Sequence, residues 1–379
     1  MEAIKATGLA DEVIVEEYEG QKIDDIRRYD IDIFTVGSDW IGKFDYLKEY
    51  CEVCYLERTK GISSSELRTE ERKIRIGLIG DLASEINKFV NESKYVNGAE
   101  VVGIYNPLGT EKLDKIQEFE DFDVLLSNVD ALYIAMNSFS SYRFIKSALK
   151  CKKHVLVESP ITMEYCKIEE LFQIAKDNKC ILMESIKTAY SLAFSRLILL
   201  VKSGMIGDVI SIDSTCTSLR KNKKDKRGSL QSWGPYGLLS IFSFLGTNYI
   251  KKEIYTKLDC EGHDIFTKIN FYFDGAVSSM KVADGVKSEG ELIISGSKGY
   301  VYVPAPWWKT DYFEIRQEHI EDNKRYFYQL EGEGIRYMIV CFLKAIKTGR
   351  GDFYISKDIS KEVSKIMDDF CGKKNVVYL

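Results

Sequence analysis

Apolar residues along this chain come in short β-branched runs separated by stretches of helical spacing. DEVIVEE (11–17) is a β-like run, and QKIDDIRRYD (21–30) sets Ile23 and Ile26 at helical spacing against a polar face. IDIFTVG (31–37) is apolar and β-branched and ends in glycine, the pattern of a buried parallel strand. GKFDYLKEY (42–50) predicts a helix and CEVCYLER (51–58) a strand. The polar stretch 58–73 then reads as a boundary. These first 70 residues hold half of a doubly wound sheet, too little to bury both faces alone.

A second run begins at Arg72. Strands are predicted at KIRIGLIGD (73–81), AEVVGIYN (99–106), DALYIAM (130–136), KHVLVES (153–159) and CILMES (180–185). Between them lie the helical patterns ASEINKFVNES, TEKLDKIQEF, SYRFIKSALKC and IEELFQIAKDNK. Strict alternation of this kind implies a parallel, right-handed doubly wound sheet.

From about residue 207 the period changes to two. DVISIDSTCTS, KINFYFDGAVSSMKVA, GELIISGSKGYVYVP and YFEIRQEH read as strands of an antiparallel sheet, with few helices before GIRYMIVCFLKAIKTG (334–349). The expected organisation is residues 1–70, a partial α/β segment; 71–190, a nucleotide-binding α/β domain; and 191–379, a sheet domain whose C-terminal helices pack back on the second.

Composition narrows the classes. The 379 residues are 45% hydrophobic and 29% charged, with 27 glycines and 5 prolines, so a disordered chain is excluded. A net charge of −5 argues against broad electrostatic binding of nucleic acid. No apolar run approaches the ~18 residues of a membrane span, and MEAIKATGLADEVIVEE lacks the pattern of a signal peptide. Nine scattered cysteines read as reduced thiols of a cytoplasmic protein. Cys51 and Cys54 form a CxxC that no second CxxC or histidine pair completes, and the three histidines, His154, His263 and His319, are too far apart in sequence to propose a metal site.

The candidate chemistry sits at strand ends. The strand 73–81 carries Gly77 and Gly80, and a helix start after Gly80 offers backbone N–H groups to a phosphate. The dinucleotide fingerprint G-x-G-x-x-G is broken here, since the run reads Gly80-Asp81-Leu82-Ala83-Ser84-Glu85. Leu82 is expected to obstruct a pyrophosphate and Asp81 to repel it. Asn106, where an acidic ribose ligand is usual, is an uncharged hydrogen-bonding substitute.

The stretches IRIGLIG, DALYIAM, KHVLVESPITM, SGMIGDVISI, RGSLQSWGPYGL and PWWKTDYFEIR resemble the glucose–fructose oxidoreductase/inositol dehydrogenase (Gfo/Idh/MocA) family, and within it the dihydrodiol dehydrogenase branch. The resemblance covers residues 73 to about 375. It implies a Rossmann domain followed by an open, mainly antiparallel sheet that builds the substrate pocket and an oligomer interface. It implies NAD or NADP as cofactor, held by Gly77, Gly80, Asp81, Leu82, Asn106, Asn137, Glu158 and Pro160, and a sugar, polyol or related carbonyl compound as substrate. Tyr236 matches the branch's proton donor. The family's Glu-Lys-Pro is here Glu158-Ser159-Pro160, and its Asp-x-Gly-x-Tyr is Ser232-Trp233-Gly234-Pro235-Tyr236. Ser159 carries no charge and is a poor acid at neutral pH. Asn137 and Ser141 stand near where the family has an Asn and a His. These departures leave two readings: an oxidoreductase with rearranged residues Tyr236, Ser159 and Ser232, or an inactive member kept for ligand binding or assembly.

Residues 1–70 are similar to the C-terminal half of glycerol-3-phosphate cytidylyltransferases, through GSDWIGKFDYL (37–47) and ERTKGISSSELR (57–68). That resemblance implies nucleotide contacts from Arg58, Thr59, Ser63, Ser64 and Ser65. The H-x-G-H segment such enzymes need is absent, so transfer of a cytidylyl group would require a separate chain. The basic loop Arg220-Lys221-Asn222-Lys223-Lys224-Asp225-Lys226-Arg227 is either a solvated loop or a steering patch beside the pocket. Together the resemblances imply a cytoplasmic homo-oligomer acting on small molecules in cell-surface precursor metabolism, with no nucleic acid, membrane or metal partner.

Overall fold

The computed structural model describes residues 10–18, 20–57, 72–107, 116–219, 227–351 and 354–379. The first unit holds helix α1 (Gln21–Tyr29) and the parallel pair β1 (Ile33–Gly37) and β2 (Glu52–Leu56) around Ile23, Ile26 and Leu47. Two expectations fail here. Residues 11–17 form no strand: the segment pairs with no strand of its own unit and is instead tied by side chains of α1, Gln21 Nε2 donating to Val15 O at 2.9 Å, while Tyr18 bridges to Val96 and Asn97 N donates to Glu17 O at 2.9 Å. Residues 42–50 form no α-helix. Gly42 takes φ +83°, which breaks the helix, and short 3-10 turns at Ser38–Trp40 and Asp45–Glu49 flank it.

The second unit runs β3 (Ile74–Gly80), α2 (Ala83–Ser93), β4 (Ala99–Tyr105), α3 (Phe122–Ser127), β5 (Ala131–Ala135), α4 (Ser138–Lys150), β6 (His154–Glu158), α5 (Tyr165–Asp177) and β7 (Leu182–Ser185). Its strands form one parallel sheet in the order β4-β3-β5-β6-β7. Residues 116–119, expected to end a helix, instead lie beside β4, with Ile104 N donating to Gln117 O and Phe119 N to Ile104 O, both at 2.8 Å. Strand order therefore reverses between β3 and β5, the switch point at which α/β sheets open a crevice.

The remainder comprises α6 (Leu192–Lys202), β8 (Val209–Ser218), α7 (Ser229–Leu245), β9 (Lys251–Leu258), β10 (Asp264–Phe273), β11 (Ala276–Asp284), β12 (Leu292–Gly296), β13 (Tyr300–Val303), β14 (Tyr312–Arg316), β15 (Lys324–Phe327), α8 (Ile335–Thr348), α9 (Lys357–Cys371) and β16 (Val376–Tyr378). Nine strands join in the order β15-β14-β13-β12-β8-β11-β10-β9-β16. The sheet is mainly antiparallel, but β8 pairs with β11 and β9 with β16 in parallel.

Helix α7 is the largest departure from the sequence reading, which gave few helices in this region. Its W-G-P-Y-G stretch carries turn-forming residues, yet Gly234 lets α7 close on Met367 and Gly237 lets it close on Met280. Leu230, Leu238, Leu239, Ile241 and Phe242 bury its apolar face. One continuous apolar core then runs from Ile76 and Leu78 of β3 through α7 to Ile269 and Phe271 of β10, which fixes the two sheets against each other. At the back, α8 meets α2 through Arg336 Nε and Glu92 Oε2 (3.1 Å), and α9 meets α5 through Lys361 Nζ and Glu169 Oε1 (3.2 Å). Among the described residues, no helix is long and apolar enough to cross a membrane.

Candidate active site

The C-terminal ends of β5, β6 and β7 gather the polar groups. Parallel register sets Glu158 opposite Ser185. Oε1 of Glu158 accepts from Tyr133 Oη at 2.6 Å and from Ser185 Oγ at 2.5 Å, while the Tyr133 ring stacks on Phe89 with centroids 4.0 Å apart. Burial raises the Glu158 carboxyl above its ordinary range and the Glu85 charge raises it further, against the opposing pull of Ser185, Tyr133 and Lys187. The next residue, Ser159, donates to Glu184 Oε1 at 2.5 Å and is joined to Pro160 by a cis peptide. Burial raises the Glu184 carboxyl as well.

Tyr236 reaches this strand edge from α7. Its ring lies 6.1 Å from Trp233, which lies 5.2 Å from Trp308. Burial, then the charges of Glu158, Glu85, Cys216 and Glu333, push its hydroxyl well above the ordinary phenol range. Ser232 stands one turn earlier on the same helix and is half-buried. The fold thus brings Glu158, Ser159, Pro160 and Tyr236 to one edge.

The other candidates divide. Gly80 has φ +144°, and a Cβ there would fall 1.8 Å from the carbonyl oxygen of Ala135, so the β3–α2 turn requires glycine. Gly77 lies inside β3, where a Cβ would press on Leu125, Leu132 and Val129 at 3.0 Å; it is a packing position, not part of the turn. Leu82 packs against the main core. Asn106 follows the end of β4. Asn137 caps α4 by accepting from Phe139 N at 3.1 Å, and Ser141 Oγ reaches the carbonyl of Ile161 at 3.2 Å. Arg58, Thr59, Ser63, Ser64 and Ser65, and the basic loop 220–226, lie outside the described residues.

The sequence reading passed over several groups. Glu85 was noted only as filling a glycine position, yet its charge acts on Tyr133, Glu158 and Tyr236. Glu333 is gripped by three lysines: Lys88 at 3.2 Å, Lys187 at 2.5 Å, and Lys309. Burial opposes its ionisation, but hydrogen bonds from Lys187 and Lys309 and the surrounding charge bring its carboxyl down to about 2. Lys187 lies two residues beyond β7, and a charged residue just past an apolar strand was its one signal in the sequence.

The turn after β3 suits a dinucleotide. No side chain caps the N-terminus of α2, which leaves the first-turn N–H groups of Ala83 and Ser84 without a capping acceptor. Oδ1 of Asp81 is buried and accepts no hydrogen bond among the described residues, which leaves an acceptor for a ligand's hydroxyl or N–H.

Comparison with known proteins agrees. Residues 74–186 match the model of the GFO_IDH_MocA oxidoreductase family, NAD-binding Rossmann fold. A dTDP-3,4-didehydro-2,6-dideoxy-alpha-D-glucose 3-reductase of Actinomadura kijaniata is 28% identical over 138 residues, 34% of this chain and 42% of that protein. The crystal structure of KijD10, a 3-ketoreductase from Actinomadura kijaniata in complex with NADP and TDP-benzene, has a TM-score of 0.70 at 18% identity, covering 81% of this chain and 100% of that one. A UDP-N-acetylglucosamine 3-dehydrogenase from Acidithiobacillus ferrooxidans gives 0.69 at 14% identity, over 81% and 98%. These two likenesses show the fold. The glycerol-3-phosphate cytidylyltransferase of Bacillus spizizenii is 52% identical over 67 residues, 18% of this chain. The chain spans about half the length of these curated relatives, 52% of the cytidylyltransferase and 42% of the reductase. A cytidylyltransferase-like segment therefore precedes a Rossmann domain whose residues 74–186 match the Gfo/Idh/MocA oxidoreductase family model.

Proposed function

We propose that the chain is an NAD(P)-dependent oxidoreductase that reduces a keto group on a nucleotide-linked sugar. One observation carries the reading: the hydroxyl of Tyr236 feels the charges of Glu158, at the end of β6, and of Glu85, in the first turn of α2, whose N-terminus no side chain caps. When bound, the nicotinamide supplies the hydride. Ala83 and Ser84 would hold its diphosphate, and Asp81 and Asn106 its sugar hydroxyls. Tyr236, kept protonated by burial, donates a hydrogen bond to the carbonyl oxygen and gives up its proton as negative charge develops there. The reductase and dehydrogenase relatives, whose names carry dTDP and UDP sugars, support the substrate class. The cytidylyltransferase-like segment supports a place in cell-surface precursor metabolism.

The test is a titration with NADPH and NADH, read by the emission of Trp233 and Trp308, followed by turnover of TDP- and UDP-linked keto sugars. Saturable quenching with turnover supports the reading, and binding without turnover of any keto sugar overturns it. That second outcome is what a ligand-binding, non-catalytic member predicts. One observation favours this alternative: Ser159, where the family carries its lysine, is tied to Glu184 rather than left to a substrate.

A further inference from the structure

Proton transfer from Tyr236 creates a phenolate, and the carboxylates that act on that ring, Glu158, Glu85 and Glu333, oppose it. A cation is required to make the step accessible. Ser159 supplies none.

The neighbouring strand does. Lys187 opens the 3-10 turn two residues past the end of β7, whose last residue, Ser185, is in register with Glu158, the neighbour of Ser159. Its side chain is 11% exposed, against 38% for Lys88 and 35% for Lys309, the other two lysines on Glu333. Its backbone is fixed from both sides. Thr188 Oγ1 donates to the carbonyl of Trp308 at 2.6 Å, and Gly334, at φ +89°, lies so close that a Cβ would meet the Lys187 carbonyl oxygen at 2.6 Å. Trp308 in turn packs on Trp233, and Trp233 on Tyr236. The stem of Lys187 is therefore tied to the wall that carries the phenol, and its charge falls on Glu158.

We propose that Lys187 is the positioning cation of this site, replacing from β7 the charge that Ser159 does not provide on β6. The assignment rests on the oxidoreductase reading. Lys187 offsets the carboxylates of Glu158 and Glu333 around Tyr236, so that the phenolate formed during reduction is tolerated until solvent returns its proton. Glu333 holds the ammonium in place, and Lys309 and Lys88 keep Glu333 ionised.

The experiment uses the full chain as Lys187→Met, Lys187→Arg and the double variant Lys187→Met with Ser159→Lys. NADPH affinity is read by tryptophan emission, and kcat and KM with the keto sugar that the wild type turns over. Lys187→Met is expected to lower kcat about 100-fold, with KM and NADPH affinity held within about threefold. Lys187→Arg keeps the charge and most of kcat. Ser159→Lys in the Met background is expected to recover about tenfold, since it returns a cation to the same edge. A purely structural ion pair predicts the reverse: a lower unfolding temperature, weaker NADPH binding, and no recovery from Ser159→Lys. That result, or an unchanged kcat in Lys187→Met, overturns the assignment alone. A wild-type chain that turns over nothing overturns the oxidoreductase reading, and this assignment with it.

Discussion

Tyr133 and Glu158 are joined by a 2.6 Å hydrogen bond from the phenol to Oε1, on the oxygen that also takes Ser185 Oγ. The acceptor is a carboxylate withdrawn from water, so each donor does more than its share in a solvated pair. Tyr133→Phe keeps the ring stacked on Phe89 and removes only the hydroxyl. A loss of about 1–3 kcal/mol is expected, read as a lower urea midpoint at unchanged slope. The Glu158 carboxyl is expected to rise further, because the lost bond favoured its charged form.

Gly80→Ala tests the turn. The added methyl would meet the Ala135 carbonyl oxygen at a backbone conformation that side chains avoid. The β3–α2 turn must shift, and a loss of roughly 2 kcal/mol or more in stability is expected. NADPH affinity should fall with it, because the first turn of α2 moves. Unchanged melting and unchanged affinity would show that the turn does not need glycine.

Tyr236→Phe isolates the proton donor. The ring packing against Trp233 remains. Turnover is expected to fall about 100- to 1000-fold, with NADPH binding intact. Retained turnover removes Tyr236 from the chemistry.

Two carboxylates give acid stability of opposite sign. Asp24 accepts from Tyr18 Oη at 2.7 Å and Tyr337 Oη at 3.3 Å, and burial raises it from 3.8 to about 6. Its folded value exceeds its unfolded one, so the ionised form costs stability. Stability should rise as pH falls from about 6 toward 3.8. Asp24→Asn should abolish that slope and stabilise the chain at pH 7 by on the order of 2 kcal/mol. Glu333 is the converse, lowered from 4.5 to about 2. Its contribution is complete above pH 4.5 and is lost as pH falls toward 2. Allowing for solvent screening, it is worth on the order of 2 kcal/mol, and Glu333→Gln should remove it. Urea unfolding between pH 7 and pH 3 reads both slopes.

The sequence by itself determined the parallel sheet and the second, mainly antiparallel one, because burial on two faces and on one face leaves different apolar periods. Its resemblances named Glu158, Ser159 and Tyr236 as candidates and marked the cytidylyltransferase-like segment. It misread 42–50, where one left-handed glycine breaks the helix, and it did not foresee α7 at 229–245, where Gly237 lets the helix lie close on Met280 of β11. Only the tertiary structure decided the electrostatics. Lys88, Lys187, Lys309 and Glu333 are far apart along the chain, and no local period marks them. They meet because α2, the end of β7 and the turns before β14 and α8 converge on one strand edge. Charge acts through space, at distances that the order of residues does not encode.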